Sequence, residues 1–290
     1  MGSRVLLVTA LRSSLGLSGT HDGLSVADIR HPDAVETAIW TLGSSGDTVI
    51  VTCREADAYD VRQQLTFTGV RYPGLRTCLE PLPGSPLAVG VVSSLVDDIG
   101  TTDDDALPWQ LSALDYLREH LWSAVWMPKV SGLTHPAPSL AQHLRSWLPG
   151  SGFLAVSSPT PSVLKAGKAP IAHLEPRTGS ALIHSPLASP TWVVSAVTEA
   201  LSPQSVSEVT TVREQVDEYG TADVVEFIAA PLVFHAESRP TADRVVTCPA
   251  CGVHHARSVC PVCRMDPRPA ARLSTTPLND DAVADRGATV

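Results

Sequence analysis

Lysine is almost missing from this chain: among 290 residues only Lys129, Lys165 and Lys168 are lysines, so the positive charge rests on arginine. Long apolar runs are missing too. Stretches such as residues 87–92 fall far short of the roughly 20 residues that a membrane-spanning helix needs, so no membrane partner is expected. There is no GxSxG, HExxH, Walker lysine or DFG set. Serine hydrolysis, zinc proteolysis, P-loop chemistry and kinase chemistry therefore lack their minimal parts. A net charge of −9 argues against a surface built as a whole for nucleic acid or anionic lipid.

What is present is concentrated late in the chain. Cys248-Pro249-Ala250-Cys251 and Cys260-Pro261-Val262-Cys263 are two CxxC pairs separated by eight residues. A turn with cysteines at i and i+3 points both sulfurs at one centre, and two such turns close a tetrahedral shell with no position left for substrate. The expectation is a structural zinc ion on Cys248, Cys251, Cys260 and Cys263, although four thiolates also suit rubredoxin-like iron. So short a module has almost no core, and the metal would supply its folding free energy, of order 10 kcal/mol. His254 and His255 lie between the pairs and read as surface contacts, because the four cysteines already fill the shell. Only Cys53 and Cys78 remain, which disfavours a disulfide framework and places the chain in the reducing cytoplasm.

Charge is asymmetric. From Arg239 to Arg272 six arginines face two acids, Asp243 and Asp266, a balance of +4 that leaves −13 on the rest. Arginine forks match phosphate geometry, so Arg244, Arg257, Arg264 and Arg268 are candidate nucleic-acid contacts. That span holds no Phe, Tyr or Trp, so base stacking is not expected there.

The body reads as α/β. Buried-type strands are expected at residues 4–10, 48–53, 75–82 and 87–96, with helices at 31–42 and 56–67 between them. A long helix is expected from Pro108 through Leu111, Leu114, Leu117, Leu121 and Val125 to Pro128, with Trp122 and Trp126 on an adjoining packing stripe. A helix at 190–201 and strands near 153–156 and 206–212 follow. The fold class expected is a doubly wound, mainly parallel sheet carrying a small C-terminal four-cysteine zinc ribbon and a disordered tail. Its divisions are a body at 1–236, a linker at 237–243, the ribbon at 244–268 and the tail at 269–290.

The run at residues 144–158, LRSWLPGSGFLAVSS, resembles the helix–PGG turn–strand passage of class I S-adenosylmethionine methyltransferases. Those enzymes carry an acidic glycine-rich signature after their first strand, whereas TALRSSLGLSG stands here, so the likeness supports an α/β turn rather than a methyl donor.

Ligands of open α/β sheets bind beyond the carboxyl ends of the strands. The Ser/Gly stretch with Ser13, Ser14, Gly16 and Gly19, and the acids Asp97 and Asp98 after residue 96, are therefore candidate cofactor-binding positions. Asp103, Asp104 and Asp105 read as a solvated acidic loop, and Cys53 as a structural thiol. The leading expectation is a non-catalytic accessory or regulatory protein whose ribbon contacts nucleic acid or a nucleoprotein partner. One alternative is a nucleotide- or S-adenosylmethionine-using enzyme; another is a structural component of an assembly, with Trp122 and Trp126 partly exposed.

Overall fold

The computed structural model describes residues 3–266 except 11–17, 22, 44–46, 103–105, 131–132, 134–135, 148–151, 167–170, 172–173, 187–191, 211–217, 220 and 222, with backbone alone at 18–21 and 101–102. Arg268 and the tail lie outside the described residues.

The apolar run after Ser3 becomes β1 (Ser3–Thr9), the central strand of a sheet that also holds β2 (Ser18–His21), β3 (Leu24–Asp28), β4 (Thr48–Arg54) and β5 (Arg76–Leu82). Its order is β2-β3-β1-β4-β5, and only the β2–β3 pair is antiparallel. Because β1 and β4 are covered on both faces, they read as continuous Val/Ile/Leu runs rather than alternating ones. One face carries α1 (Pro32–Gly43) and α2 (Ala58–Arg71), where Val35, Ile39 and Val61 pack on Leu6, Val8, Val49 and Val51. The other face carries α3 (Pro86–Thr102) and α4 (Leu107–His120), whose Val92, Val96, Leu111 and Leu114 meet Val5, Leu7 and Ile50.

A second, mixed sheet follows, built from β6 (Trp122–Met127), β7 (Phe153–Ser158), β8 (Ser162–Lys165), β9 (Ser180–His184), β10 (Ser205–Glu208) and β11 (Val225–Pro231). Its order is β10-β9-β11-β6-β7-β8, parallel only between β9 and β10. Ile228 and Ala230 of β11 join the same core as α3 and α4, so these two helices lie between the sheets. The outer face is covered by α6 (Trp192–Leu201), on which Val193 and Val197 pack against Trp122, Trp126 and Phe227. Short α5 (Leu140–Arg145) and α7 (Phe234–Glu237) complete the body, and β12 (Val246–Thr247) pairs with β13 (His254–His255) in the cysteine module.

Two expectations fail here for physical reasons. Residues 87–96 are helix, not strand. Pro86 stands at the first turn, the Ser85 hydroxyl accepts from Ala88 N–H at 3.2 Å, and both sides of the helix are buried, so no amphipathic pattern marks it. The helix expected to reach Pro128 ends at His120; Leu121 is extended and WSAVWM forms β6. Trp122 and Trp126 are four apart on one face of a strand, both wholly packed beneath α6, with Trp192 edge-on to Trp126 at 6.0 Å. The doubly wound, mainly parallel expectation therefore holds for the first sheet, and the second is mixed.

Candidate binding cleft and cysteine centre

β4 and β5 end at Arg54 and Leu82, and Pro83-Gly84-Ser85 then turns the chain into α3. Gly84 has φ +105, a conformation in which a side chain is strained, and its missing Cβ would stand 3.2 Å from that of Ala88. This turn faces the inner side of the second sheet across a cleft of about 300 Å³. Leu82, Pro83, Val125, Leu133, Pro136 and Ala155 give it an apolar wall; Arg54, Ser85, Ser157, Glu218 and Tyr219 give it a polar end. That volume is at the lower end of small-molecule pockets, about 300–1,000 Å³.

The polar end is held by charge pairs. Arg54, with 12% of its side chain exposed, donates from Nε to Asp57 at 3.2 Å and from Nη1 to Glu218. Ser157 Oγ donates to Ser123 O at 3.2 Å. Behind Ser85 lies Glu226 of β11, wholly buried, whose Oε2 accepts from Leu87 N–H at 2.8 Å at the start of α3. Its Oε1 has no hydrogen-bond partner. Burial pushes the Glu226 carboxyl up from 4.5 to about 7, partly offset by the hydrogen bonds from Leu87 N–H and Ser85 and by Arg54, while Glu218 adds to the rise. The one charged residue inside the apolar run VVEFIAA is the sequence signal for this position, and Arg54, Ser85, Ser157 and Glu218 carry none.

The four cysteines do converge. The Sγ atoms of Cys248, Cys251, Cys260 and Cys263 all lie within 4.8 Å of one another and form a group that could hold a metal ion. Sulfurs of Cys248 and Cys263 are 3.4 Å apart, those of Cys251 and Cys260 3.5 Å, and all are free thiols. A tetrahedron with metal–sulfur bonds of about 2.3 Å has edges of about 3.8 Å, a length that falls between the two short separations and the 4.8 Å span of the group. The two knuckles share one backbone course: Gly252 N–H donates to Cys248 O and Arg264 N–H to Cys260 O, with positive φ at Gly252 and Arg264. Amides of Cys251 and Ala250 draw the Cys248 thiol down to about 6, while burial pushes the Cys251 thiol up to about 12, so the four thiols do not share one protonation state.

The remaining candidate positions scatter. Ser13, Ser14 and Gly16 lie outside the described residues, and Gly19 sits in β2 opposite Val26. Asp97 is buried at the amino end of β1, where its Oδ1 accepts from Val5 N–H at 2.8 Å and its Oδ2 from Arg4 at 3.3 Å. That end is opposite to Thr9, from which the Ser/Gly stretch departs. Asp98 is exposed on α3. Cys53 is buried and its thiol is pushed up to about 12 by burial, so it is poorly suited to be a nucleophile. Among the four arginines proposed for nucleic acid, Arg244 and Arg264 are exposed, while Arg257 turns inward onto Glu80 and Asp115. His254 is exposed, whereas His255 is wholly buried.

No family model and no curated protein matches this chain. Solved structures do. The fatty acid kinase (Fak) B3 protein of Streptococcus pneumoniae, loaded with linoleic acid, is 10% identical with a TM-score of 0.53, covering 80% of this chain and 100% of that one. A fatty-acid-binding DegV family protein from Thermus thermophilus is 13% identical with a TM-score of 0.52, covering 80% and 100%. A stearic-acid-binding protein from Eubacterium ventriosum is 9% identical with a TM-score of 0.52, covering 80% and 99%. These neighbours overturn the function expected from the sequence. The fold is shared with proteins described as fatty-acid binders, not with nucleic-acid-contacting regulators, and neither the nucleotide or S-adenosylmethionine enzyme nor the assembly component fits them. The partners expected through the ribbon, a protein or a nucleic acid, fall with it. The physical reason is visible too: Arg257 is engaged by internal carboxylates, and Trp122 and Trp126 are core. Each neighbour is spanned almost end to end, and in its α/β body the chain has the fold of the DegV proteins.

Proposed function

We propose that the body, residues 1–236, is a binding protein for a fatty acid or a similar long-chain carboxylate, taken up in the cleft between the two sheets. The observation that carries this reading is the division of the cleft into an apolar wall, Leu82, Val125, Leu133 and Ala155, and a polar end at Arg54 and Ser85. An acyl chain needs the first and its head group the second. The head would compete with Glu218 for the Arg54 fork, whose planar donors match a carboxylate. The likeness to the linoleic- and stearic-acid-loaded proteins supports the same reading.

In the module at 244–268, the four thiols suit zinc: a closed shell of four sulfurs on a redox-inert ion is a structural site, and it requires a reducing compartment such as the cytoplasm. Among the described residues no helix is long and apolar enough to cross a membrane.

The test is native mass spectrometry of the purified chain followed by titration with stearic acid and linoleic acid. A bound acyl adduct, or saturable binding lost in Val125→Trp with the circular dichroism unchanged, is the expected result. Binding by neither acid would reject the reading.

A further inference from the structure

The cysteine module is not suspended from the body; it is seated on it. Val253 is buried in the same core as Leu107, Leu111 and Leu114 of α4 and Phe234 of α7, with Cys251 and Val262 packed against that cluster. Arg257 reaches across to two carboxylates: its Nε donates to Asp115 Oδ2 at 3.1 Å, its Nη2 to Asp115 Oδ1 at 2.8 Å, and its Nη1 to Glu80 Oε1. Glu80, on β5, has 5% of its side chain exposed and is shared with Arg118, whose Nη2 donates to it at 2.7 Å and to Pro81 O at 3.0 Å. Burial alone would push the Glu80 carboxyl up, but the Arg257 and Arg118 pairs hold it below its ordinary value. A carboxylate this deep is stable as an anion only while its cations stay in place.

Arg257 lies in the segment between the two CxxC pairs, so drawing both knuckles onto one centre would fix that segment at both ends. We infer that the four-thiol centre is a metal-dependent clasp: occupancy by a thiophilic divalent ion keeps Arg257 on Glu80, and metal loss releases the module and loosens the β5–α4 edge of the body. The inference rests on the metal-binding reading of the cysteines and not on the fatty-acid reading of the cleft. It extends toward the cleft nonetheless, since Glu80 and Pro81 lead directly into Leu82 and the Pro83-Gly84-Ser85 turn that line it.

The experiment uses the full chain as isolated. Native mass spectrometry counts the metal, and hydrogen exchange is followed before and after chelation. Expected is a rise in exchange of about tenfold or more in residues 76–82 and 107–120, as local opening of a clamped edge requires. Arg257→Ala, with metal still bound, should raise exchange in the same two segments, and Arg257→Lys should recover part of the protection. If chelation unfolds the chain altogether, the metal-loaded Arg257→Ala protein decides. Absence of metal would sink the centre and the clasp together. Metal bound, with exchange in β5 and α4 indifferent both to chelation and to Arg257→Ala, would sink the clasp alone.

Discussion

Replacing Glu226 by glutamine separates a charge effect from a shape effect in the centre of the molecule. The carboxyl is wholly buried between β11 and the start of α3, and its pKa is raised from 4.5 to about 7. A group that binds its proton more tightly folded than unfolded stabilises the fold fully below the unfolded value, and that stabilisation is lost as pH rises through the folded value. A tenfold difference in proton affinity corresponds to about 1.4 kcal/mol, so between pH 5 and pH 8 the wild-type chain should lose about 2.5 kcal/mol through this carboxyl. Glutamine does not titrate. It keeps an acceptor for Leu87 N–H and places an amide donor where Oε1 has no partner, at a cost of about 1–3 kcal/mol that is the same at both pH values and cancels in the comparison. Urea unfolding of both proteins at pH 5 and pH 8 therefore yields a difference of differences. About 2.5 kcal/mol is expected; equal pH slopes for the two proteins, within about 0.5 kcal/mol, would refute the reasoning.

Other outcomes follow from the same geometry. Long-chain fatty acids should bind more tightly at pH 6 than at pH 8, because a neutral Glu226 removes one negative charge beside the head-group end, and titrations with Glu226→Gln should lose that part of the pH dependence. Gly100→Ala should destabilise by about 1–3 kcal/mol in urea, since the added methyl would sit 2.4 Å from Ser3 O and 2.5 Å from Gln110 Nε2, where α3 presses on β1 and α4. Leu117→Ala, at a fully buried position of α4, should cost about 2–5 kcal/mol and widen the core without altering metal content. Isolated protein should carry one metal ion per chain, and Cys248→Ser should lose it, as read by native mass spectrometry.

The parts legible in the sequence are those whose signal is local. The thiol pairs announce their centre because ligand spacing and turn geometry are the same fact, and β1 and β4 are plain because doubly covered strands are apolar throughout. α3 defeats the same logic: residues 87–92 of this helix between two sheets form an unbroken apolar run, without the period that distinguishes a helix from a strand. Trp122 and Trp126 satisfy a helical and a strand spacing equally, and only their pairing with β7 and β11 decides. The cleft is illegible because Arg54, Ser85, Ser157 and Glu218 come from four distant segments, each ordinary in isolation. The positive charge of the C-terminal region is right as a sum, but the sum does not say where each charge points: Arg239, Arg244 and Arg264 are exposed, whereas Arg257 is taken up by acids 142 and 177 residues earlier.

The strand order of the second sheet has a consequence for how the chain is made. β6 lies between β7 and β11, and β11 is synthesised about a hundred residues after β6. At roughly 5–20 residues per second, the nascent chain carries an open edge beside Trp122 and Trp126 for about 5–20 s after β6 has emerged from the ribosome. The first sheet, complete by Leu82, has no such wait, although α3 lacks Glu226 at its first turn until β11 arrives. Translation therefore imposes an order on this protein: one sheet has all its strands early, while the other keeps an unpaired edge until Val225–Pro231 has closed the gap between β6 and β9.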